Sequence, residues 1–233
     1  MGIYSDIKSD FANAYKNDPA LKSKIDFLFN YPGVWAMAWY RVAHSLHKAS
    51  FKRLARMIMG LTQIFTHIDI HPAAIIGQRV FIDHGTGVVI GETSIIEDDV
   101  LIYQGVTLGG VSLDSGKRHP TIRCGAVLGA GAKILGNIEI GEDAKVGANS
   151  VVVKEVPKNA TAIGIPAHVI AKGRNQDPLM HNMLPDINKE LFEYMLKRVA
   201  ILEHILVEDH KNLLEQDLEL ENIYESFIKS MKT

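Results

Sequence analysis

From Ile122 onward an aliphatic residue recurs every six positions, at Ile122, Leu128, Ile134, Ile140, Val146 and Val152. Small or aliphatic residues stand two places ahead of most of them, at Ala126, Ala132, Ile138, Ala144 and Ser150, and glycine follows at Gly129, Gly141 and Gly147. The same rule holds upstream in two blocks, Ile70, Ile76, Ile82 and then Ile90, Ile96, Ile102, Leu108. A period of six fits neither the turn of a helix, about 3.6 residues, nor the plain alternation of a half-buried strand. It fits a solenoid of short flat faces, each turning one aliphatic side chain inward, with glycine easing the corners. Three faces close a triangular coil of about 18 residues, so residues one coil apart stack.

The register breaks twice. Between Ile82 and Ile90 the step is eight, and the slipped segment reads DHGTGVV. Between Leu108 and Ile122 it is fourteen, and the excess lies in GGVSLDSGKRHPT. A perfect repeat needs neither break. In a rigid solenoid such interruptions mark where loops leave the shaft and where function concentrates.

The flanks are helical in pattern. Residues 3–67 carry apolar residues at helical spacing, among them Val34, Met37, Ala38, Val42 and Leu46, with basic Arg41, Lys48, Lys52, Arg53 and Arg56. Asp18 followed by Pro19 has the form of a helix start, which by itself explains Asp18 as an N-cap. Residues 186–231 predict one long helix in which Phe192, Val199, Leu206, Leu213, Leu220 and Phe227 recur every seven. Such an amphipathic helix serves self-association or folds back on its own surface. The expected organisation is α+β: a helical region at 1–67, a β-helix at 68–173, and a C-terminal extension at 174–233.

Composition narrows the function. A net charge of −2 gives no basic footprint for nucleic acid. One cysteine, Cys124, excludes an internal disulfide framework and a Cys-rich metal cluster, and fits a reducing compartment. No secretory signal opens the chain, and no apolar run reaches the ~18 residues of a membrane span. A cytoplasmic protein is the expectation.

The chemistry-bearing residues sit at the register breaks. Asp83 and His84 occupy the first, and Asp69 stands 15 residues before His84, close to one coil below. An acidic residue beside a histidine is a surface accident, a metal site or the working end of a general base. A carboxylate within reach of the imidazole would fix its tautomer and stabilise the imidazolium formed when it takes a proton. Arg118 and His119 occupy the second break. Arginine binds a carboxylate through two parallel hydrogen bonds, though a solvated loop charge is the commoner use. Gly109-Gly110, GAGA (129–132) and GANS (147–150) are small enough for a long narrow ligand to lie against the shaft. Cys124 falls two after Ile122, on an outward position with no motif around it, and is expected to be a bystander. His67, His71, His84 and His119 invite a zinc reading, but Cys124 stands where a γ-class carbonic anhydrase would need another histidine of its set. No metal is expected.

Together DIHPAAIIG, FIDHGTGVVIGE, YQGVTLGG, GKRHP, GAGAKILGNIEIG and GIPAHVI resemble the serine O-acetyltransferase family across residues 15–173. The resemblance implies a left-handed parallel β-helix, acetyl-coenzyme A as cosubstrate, L-serine as acceptor, and trimers with the active site between neighbouring shafts. It implies that His84 is the general base and Asp69 its orienting partner. It implies further that Asp83 and Asp18 hold the substrate ammonium, that Arg118 clamps the carboxylate with His119 beside it, and that Gly110, Ala130 and Ala148 line the coenzyme. The reaction would be O-acetyl transfer in a ternary complex, giving O-acetyl-L-serine for cysteine synthesis without an acyl-enzyme. Another small hydroxyl acceptor, homoserine or a sugar, is the alternative within the enzymes, and a non-catalytic trimeric scaffold the alternative outside them. Two departures from the family pattern stand out. The N-terminal helical region is short compared with members that pair two trimers, which leaves homotrimer or dimer of trimers open. The chain ends in Thr233 rather than isoleucine, so docking to cysteine synthase through a terminal isoleucine is not expected.

Overall fold

The computed structural model describes residues 7–10, 30–113, 115–172 and 192–202. Each aliphatic position of the repeat lies in a short strand, and the strands stack in parallel into three sheets. Sheet A runs through β1 (Asp69–Ile70), β4 (Val89–Ile90), β7 (Thr107–Gly109), β10 (Lys133–Leu135) and β13 (Val151–Val152). Sheet B joins β2 (Ile75–Ile76), β5 (Ile95–Ile96), β8 (Thr121–Ile122) and β11 (Glu139–Ile140). Sheet C joins β3 (Phe81–Ile82), β6 (Leu101–Ile102), β9 (Val127–Leu128), β12 (Lys145–Val146) and β14 (Ala160–Gly164). It closes with β15 (Ala167–Lys172), antiparallel to β14. The inward residue of each face is buried, from Ile70, Ile76 and Ile82 in the first coil to Ile134, Ile140 and Val146 farther along. Each such side chain contributes about 1.5–3 kcal/mol of apolar burial, and together they form one continuous core.

Strand pairing shows where the two breaks go. Regular coils advance 18 residues, pairing Thr121 with Glu139, Val127 with Lys145 and Lys133 with Val151. The first coil advances 20, pairing Asp69 with Val89, Ile75 with Ile95 and Phe81 with Leu101. The coil that holds the second break advances 26, pairing Ile95 with Thr121, Leu101 with Val127 and Thr107 with Lys133. Pairing is intact on both sides of each excess, so the extra residues are expelled at corners. Residues 83–88 turn the corner from sheet C to sheet A, and residues 110–120 the corner from sheet A to sheet B. The two interruptions therefore stand at opposite edges of one sheet.

Among the described residues ahead of the shaft, 7–10 are helical and two longer helices follow, α1 (Pro32–Lys48) and α2 (Lys52–Thr66). Pro32 opens α1, where a missing N–H costs nothing. Ser50, with φ of 70°, closes it: the Phe51 N–H reaches back to the Leu46 carbonyl and the Ser50 N–H to that of His47. Val34 and Met37 are buried as their spacing predicts, while Ala38 and Val42 are only half-buried. α1 lies on the first coil so closely that a Cβ at Gly33 would fall 2.1 Å from the Ile82 carbonyl oxygen. The Tyr40 hydroxyl donates to the Ala74 carbonyl at 2.6 Å and accepts from the Ile76 N–H at 3.1 Å. Arg41 is buried, paired with Asp10 at 3.0 Å and donating to the carbonyls of Ile76 and Gly77.

α2 is unusual in what it hides. It buries Ala55, Met59, Thr62 and Thr66 and leaves Leu54, Met57, Leu61, Ile64 and Phe65 exposed, Phe65 at 82%.

The chain divides into two compact units, Met1–Leu184 and Pro185–Thr233. Within the second, residues 192–202 form a helix, α3, with Phe192, Met195, Val199 and Leu202 exposed. The remainder of the expected 186–231 helix and the Asp18-Pro19 start lie outside the described residues. Among the described residues no helix is long and apolar enough to cross a membrane. Ile134 is fully buried in the middle of sheet A, so Ile134→Ala should destabilise the fold by about 2–5 kcal/mol. Urea unfolding measures this, and a loss below about 1 kcal/mol would mean that the shaft does not rest on its inward column.

Candidate active site

The two expelled segments divide the predicted residues into two groups. At the sheet C to sheet A edge, His84 (φ 57°) and Gly85 (φ 71°) both take the left-handed conformation. The two added residues make a tight bend: the Gly85 N–H bonds the Asp83 carbonyl and the Thr86 N–H that of His84. A Cβ at Gly85 would lie 2.5 Å from the Ile68 side chain, so the bend presses on the core while His84 is turned out and exposed. Asp83 beside it is half-buried.

Backbone hydrogen bonds then run down this edge from coil to coil. The Gly105 N–H bonds the Thr86 carbonyl, the Gly131 N–H that of Gln104, and the Asn149 N–H that of Ala130. Ala130 and Ala148 thus stand in the same corner column as the His84 bend, one and two coils farther along from Gln104. Both present only a methyl group.

The opposite edge holds Gly110, Arg118 and His119. Here the structure adds residues that the motif reading passed over. The Thr93 hydroxyl accepts the N–H of Arg118 at 3.0 Å and that of His119 at 3.1 Å, and lies 2.9 Å from His119 Nδ1. The Thr93 N–H points to the same Nδ1 at 3.3 Å. Lys117 Nζ donates to the carbonyls of Thr93, His119 and Pro120, tying the end of the loop to the shaft. Arg118 Nη2 donates to Glu92 Oε2 at 2.5 Å, which holds the Glu92 carboxyl below its usual range.

His119 is only 8% exposed, and burial, aided by Arg118 and Lys117, pushes its imidazole toward the neutral form. Its ring is wedged between two glycines. A Cβ at Gly91 would lie 2.0 Å from His119 Cδ2, and one at Gly110 would lie 3.3 Å from Nε2.

Gly91, Glu92, Arg118 and His119 line a polar cavity of about 470 Å³ together with Arg56, Asp69 and His71. Asp69 therefore faces the Arg118 group. Its strand nevertheless adjoins the His84 bend, since the His67 carbonyl accepts the Gly87 N–H and the Asp69 N–H bonds the Val88 carbonyl. Among the described residues no hydrogen bond joins Asp69 to His84, and His84 does not line the cavity. One chain does not bring the predicted base and the predicted carboxylate clamp together.

Glu92 and Thr93 carried a signal in the sequence. Thr93 and His119 are 26 residues apart, the advance of the coil that contains the second break. Counting one enlarged coil back from the RH pair lands on the ET pair.

Cys124 is half-buried, and burial with the neighbouring carboxylates pushes its thiol up, away from a reactive thiolate. Among the described residues no three His, Cys, Asp or Glu side chains assemble into a group able to hold a metal ion.

Comparison with known proteins agrees with this architecture. Residues 119–154 match the family described as bacterial transferase hexapeptide (six repeats). Serine acetyltransferase of Synechococcus elongatus is 46% identical over 202 residues, covering 86% of this chain and 83% of the relative. A solved serine acetyltransferase in complex with CoA superposes with a TM-score of 0.68 at 46% identity, over 72% of this chain and 70% of that one. Soybean serine acetyltransferase complexed with serine gives 0.70 at 46% identity, over 72% and 69%. A left-handed β-helix of hexapeptide repeats, together with this similarity to serine acetyltransferases, defines an acyltransferase of the hexapeptide-repeat class. Within that class the chain belongs to the serine acetyltransferase family.

The wedge at Gly91 offers a direct check. Gly91→Ala should displace the His119 ring, cost about 1–3 kcal/mol by overpacking, and lower activity while the coils stay folded. Unaltered activity in a folded Gly91→Ala protein would show that the His119 position is immaterial.

Proposed function

We infer that this chain is a serine O-acetyltransferase, moving the acetyl group of acetyl-coenzyme A to the hydroxyl of L-serine and releasing O-acetyl-L-serine and the free thiol. The observation that carries this is 46% identity to a serine acetyltransferase over most of both chains, with chemistry-bearing residues at both expelled corners.

In this reading His84 takes the hydroxyl proton as the serine oxygen attacks the thioester carbonyl; the tetrahedral intermediate then collapses with cleavage of the carbon–sulfur bond, and the proton passes from His84 to the departing coenzyme A sulfur. Asp69, which faces the Arg118 group, orients the imidazole of the neighbouring copy and stabilises its cation. Asp83, with Asp18 from the helical region, receives the substrate ammonium. Arg118 clamps the carboxylate through its planar fork, with His119 beside it. A carboxylate arriving at Arg118 meets Glu92 already there, so it shares or replaces that pairing.

Acetyl-coenzyme A lies against the corner column of Ala130 and Ala148, where side chains no larger than methyl let a narrow ligand approach the backbone, with Gly110 at the facing edge. The Gly129 corner is already so tight that a Cβ there would lie 2.7 Å from the Ala148 nitrogen.

The complete site forms between two copies of the chain, in a trimer. The His84 edge of one shaft faces the Arg118 edge of its neighbour, which supplies the encounter that one chain lacks. The exposed apolar face of α2 supports burial of the helical region in an assembly.

Thiol release from acetyl-coenzyme A tests the reading, with L-serine, L-homoserine or no acceptor, for wild type and His84→Ala. Serine-dependent release should fall about 10²–10⁴-fold in the variant. Release with homoserine and not serine would overturn the acceptor. Full activity in His84→Ala would overturn the base.

A further inference from the structure

Thr93 lies in the turn between β4 and β5, beneath the Arg118-His119 pair. A threonine hydroxyl has one proton to give and two lone pairs to accept with. Both lone pairs of Thr93 Oγ1 are taken, by the N–H groups of Arg118 at 3.0 Å and His119 at 3.1 Å. The remaining contact is His119 Nδ1 at 2.9 Å, so the hydroxyl proton points there and Nδ1 accepts it. The Thr93 N–H, 3.3 Å from the same atom, makes the same demand. A protonated Nδ1 would confront one N–H and a hydroxyl with no lone pair left.

We propose that Thr93 is a positioning residue that fixes His119 as the neutral Nε2–H tautomer and thereby presents a single, aimed hydrogen-bond donor to the bound acceptor. The consequence is chemical. An Nε2–H donates to an oxygen of the acceptor and does not compete with His84 for the hydroxyl proton. Two histidines in one site thus receive opposite assignments, one to accept the proton and one to donate a hydrogen bond.

The surroundings of His119 point the same way. Burial disfavours a positive charge on the ring, and Arg118 and Lys117 from its own loop add to this. From the turn after β4 Glu92 favours that charge, but its carboxylate is engaged by Arg118. The glycines at 91 and 110 let the ring pack directly against the backbone on both sides, and the contacts to Thr93 mark which ring edge holds Nδ1. The proposal rests on the reading of His119 as an acceptor contact.

The test is nitrogen NMR of the histidine side chains in the full-length protein, with His119 assigned by the signal lost in His119→Asn, alongside steady-state kinetics. Wild type should show a protonated Nε2 and an unprotonated Nδ1 at neutral pH. Thr93→Val should give a mixture of tautomers, a His119 that takes a second proton at higher pH than in wild type, and a KM for serine raised about tenfold or more. The KM for acetyl-coenzyme A should stay within about twofold. Thr93→Ser, which keeps the hydroxyl, should restore both tautomer and KM.

A wild-type His119 protonated on Nδ1 would overturn the proposal even if Thr93→Val failed to fold. So would a folded Thr93→Val with wild-type tautomer and KM. If His119→Asn leaves the KM for serine unchanged while Thr93→Val still scrambles the tautomer, the acceptor-contact reading fails and the tautomer assignment stands.

Discussion

Every coil of this shaft must give its backbone N–H groups to the carbonyls of the next, and that single demand shapes the rest of the molecule. The strands from β1 to β13 are two or three residues long, so in those coils there is no length of sheet in which an extra residue could be absorbed as a bulge. An unpaired buried N–H or carbonyl costs about 1–3 kcal/mol, and an excess inside a strand would also turn the aliphatic column outward. Extra residues therefore leave at the corners. The 20-residue and 26-residue advances show that pairing resumes in register immediately beyond each excess.

Chemistry follows from that expulsion. A left-handed residue with a full side chain is costly in open chain, yet at the first corner His84 is held there by a bend whose glycine presses on Ile68. At the second corner the longer excess returns to the shaft through Lys117, Arg118 and His119, and is received by one threonine and one glutamate of the coil below. Rigid coils below and above each corner supply what a catalytic constellation needs, side chains whose positions are set by packing rather than by the ligand. Because the corners belong to opposite edges of sheet A, the topology keeps the proposed base and the proposed clamp on separate edges of one chain. A triangular shaft with two such edges on one face suits the proposed three-fold assembly, in which every contact would bring one edge of each kind together.

Much of this was legible in the residues. The period of six predicted the strands, the sheets and the inward column. The steps of eight and fourteen mark both interruptions in the sequence itself. Residue identity alone did not tell that Ala130 and Ala148 share a column with His84 while Gly110 sides with Arg118, because that depends on which corner each occupies. Arg41 looked like one basic residue among several on a helix. Only packing shows it buried against Asp10 and carrying the carbonyls of the first coil, where loss of one partner would cost about 3–5 kcal/mol. Glu92 and Thr93 were hidden for a different reason: their partners are 26 residues away, and the coil length that relates them is altered by the very loop they anchor. α2 reversed the usual expectation, burying its small and hydroxyl residues and exposing its large apolar ones, because spacing reports a helix's apolar face without saying what lies against it.

The central claim is that one complete site needs an edge from each of two chains, and co-assembly of two inactive variants tests it most directly. His84→Ala and Arg118→Ala chains, each inactive alone, would be unfolded together in equal amounts, refolded and assayed for serine-dependent thiol release. If the site is shared, mixed trimers contain one interface that pairs an intact His84 with an intact Arg118, and activity should return to about a quarter of wild type. If each chain carries its own complete site, every site in the mixture lacks one residue, and the refolded mixture would stay as inactive as its parents.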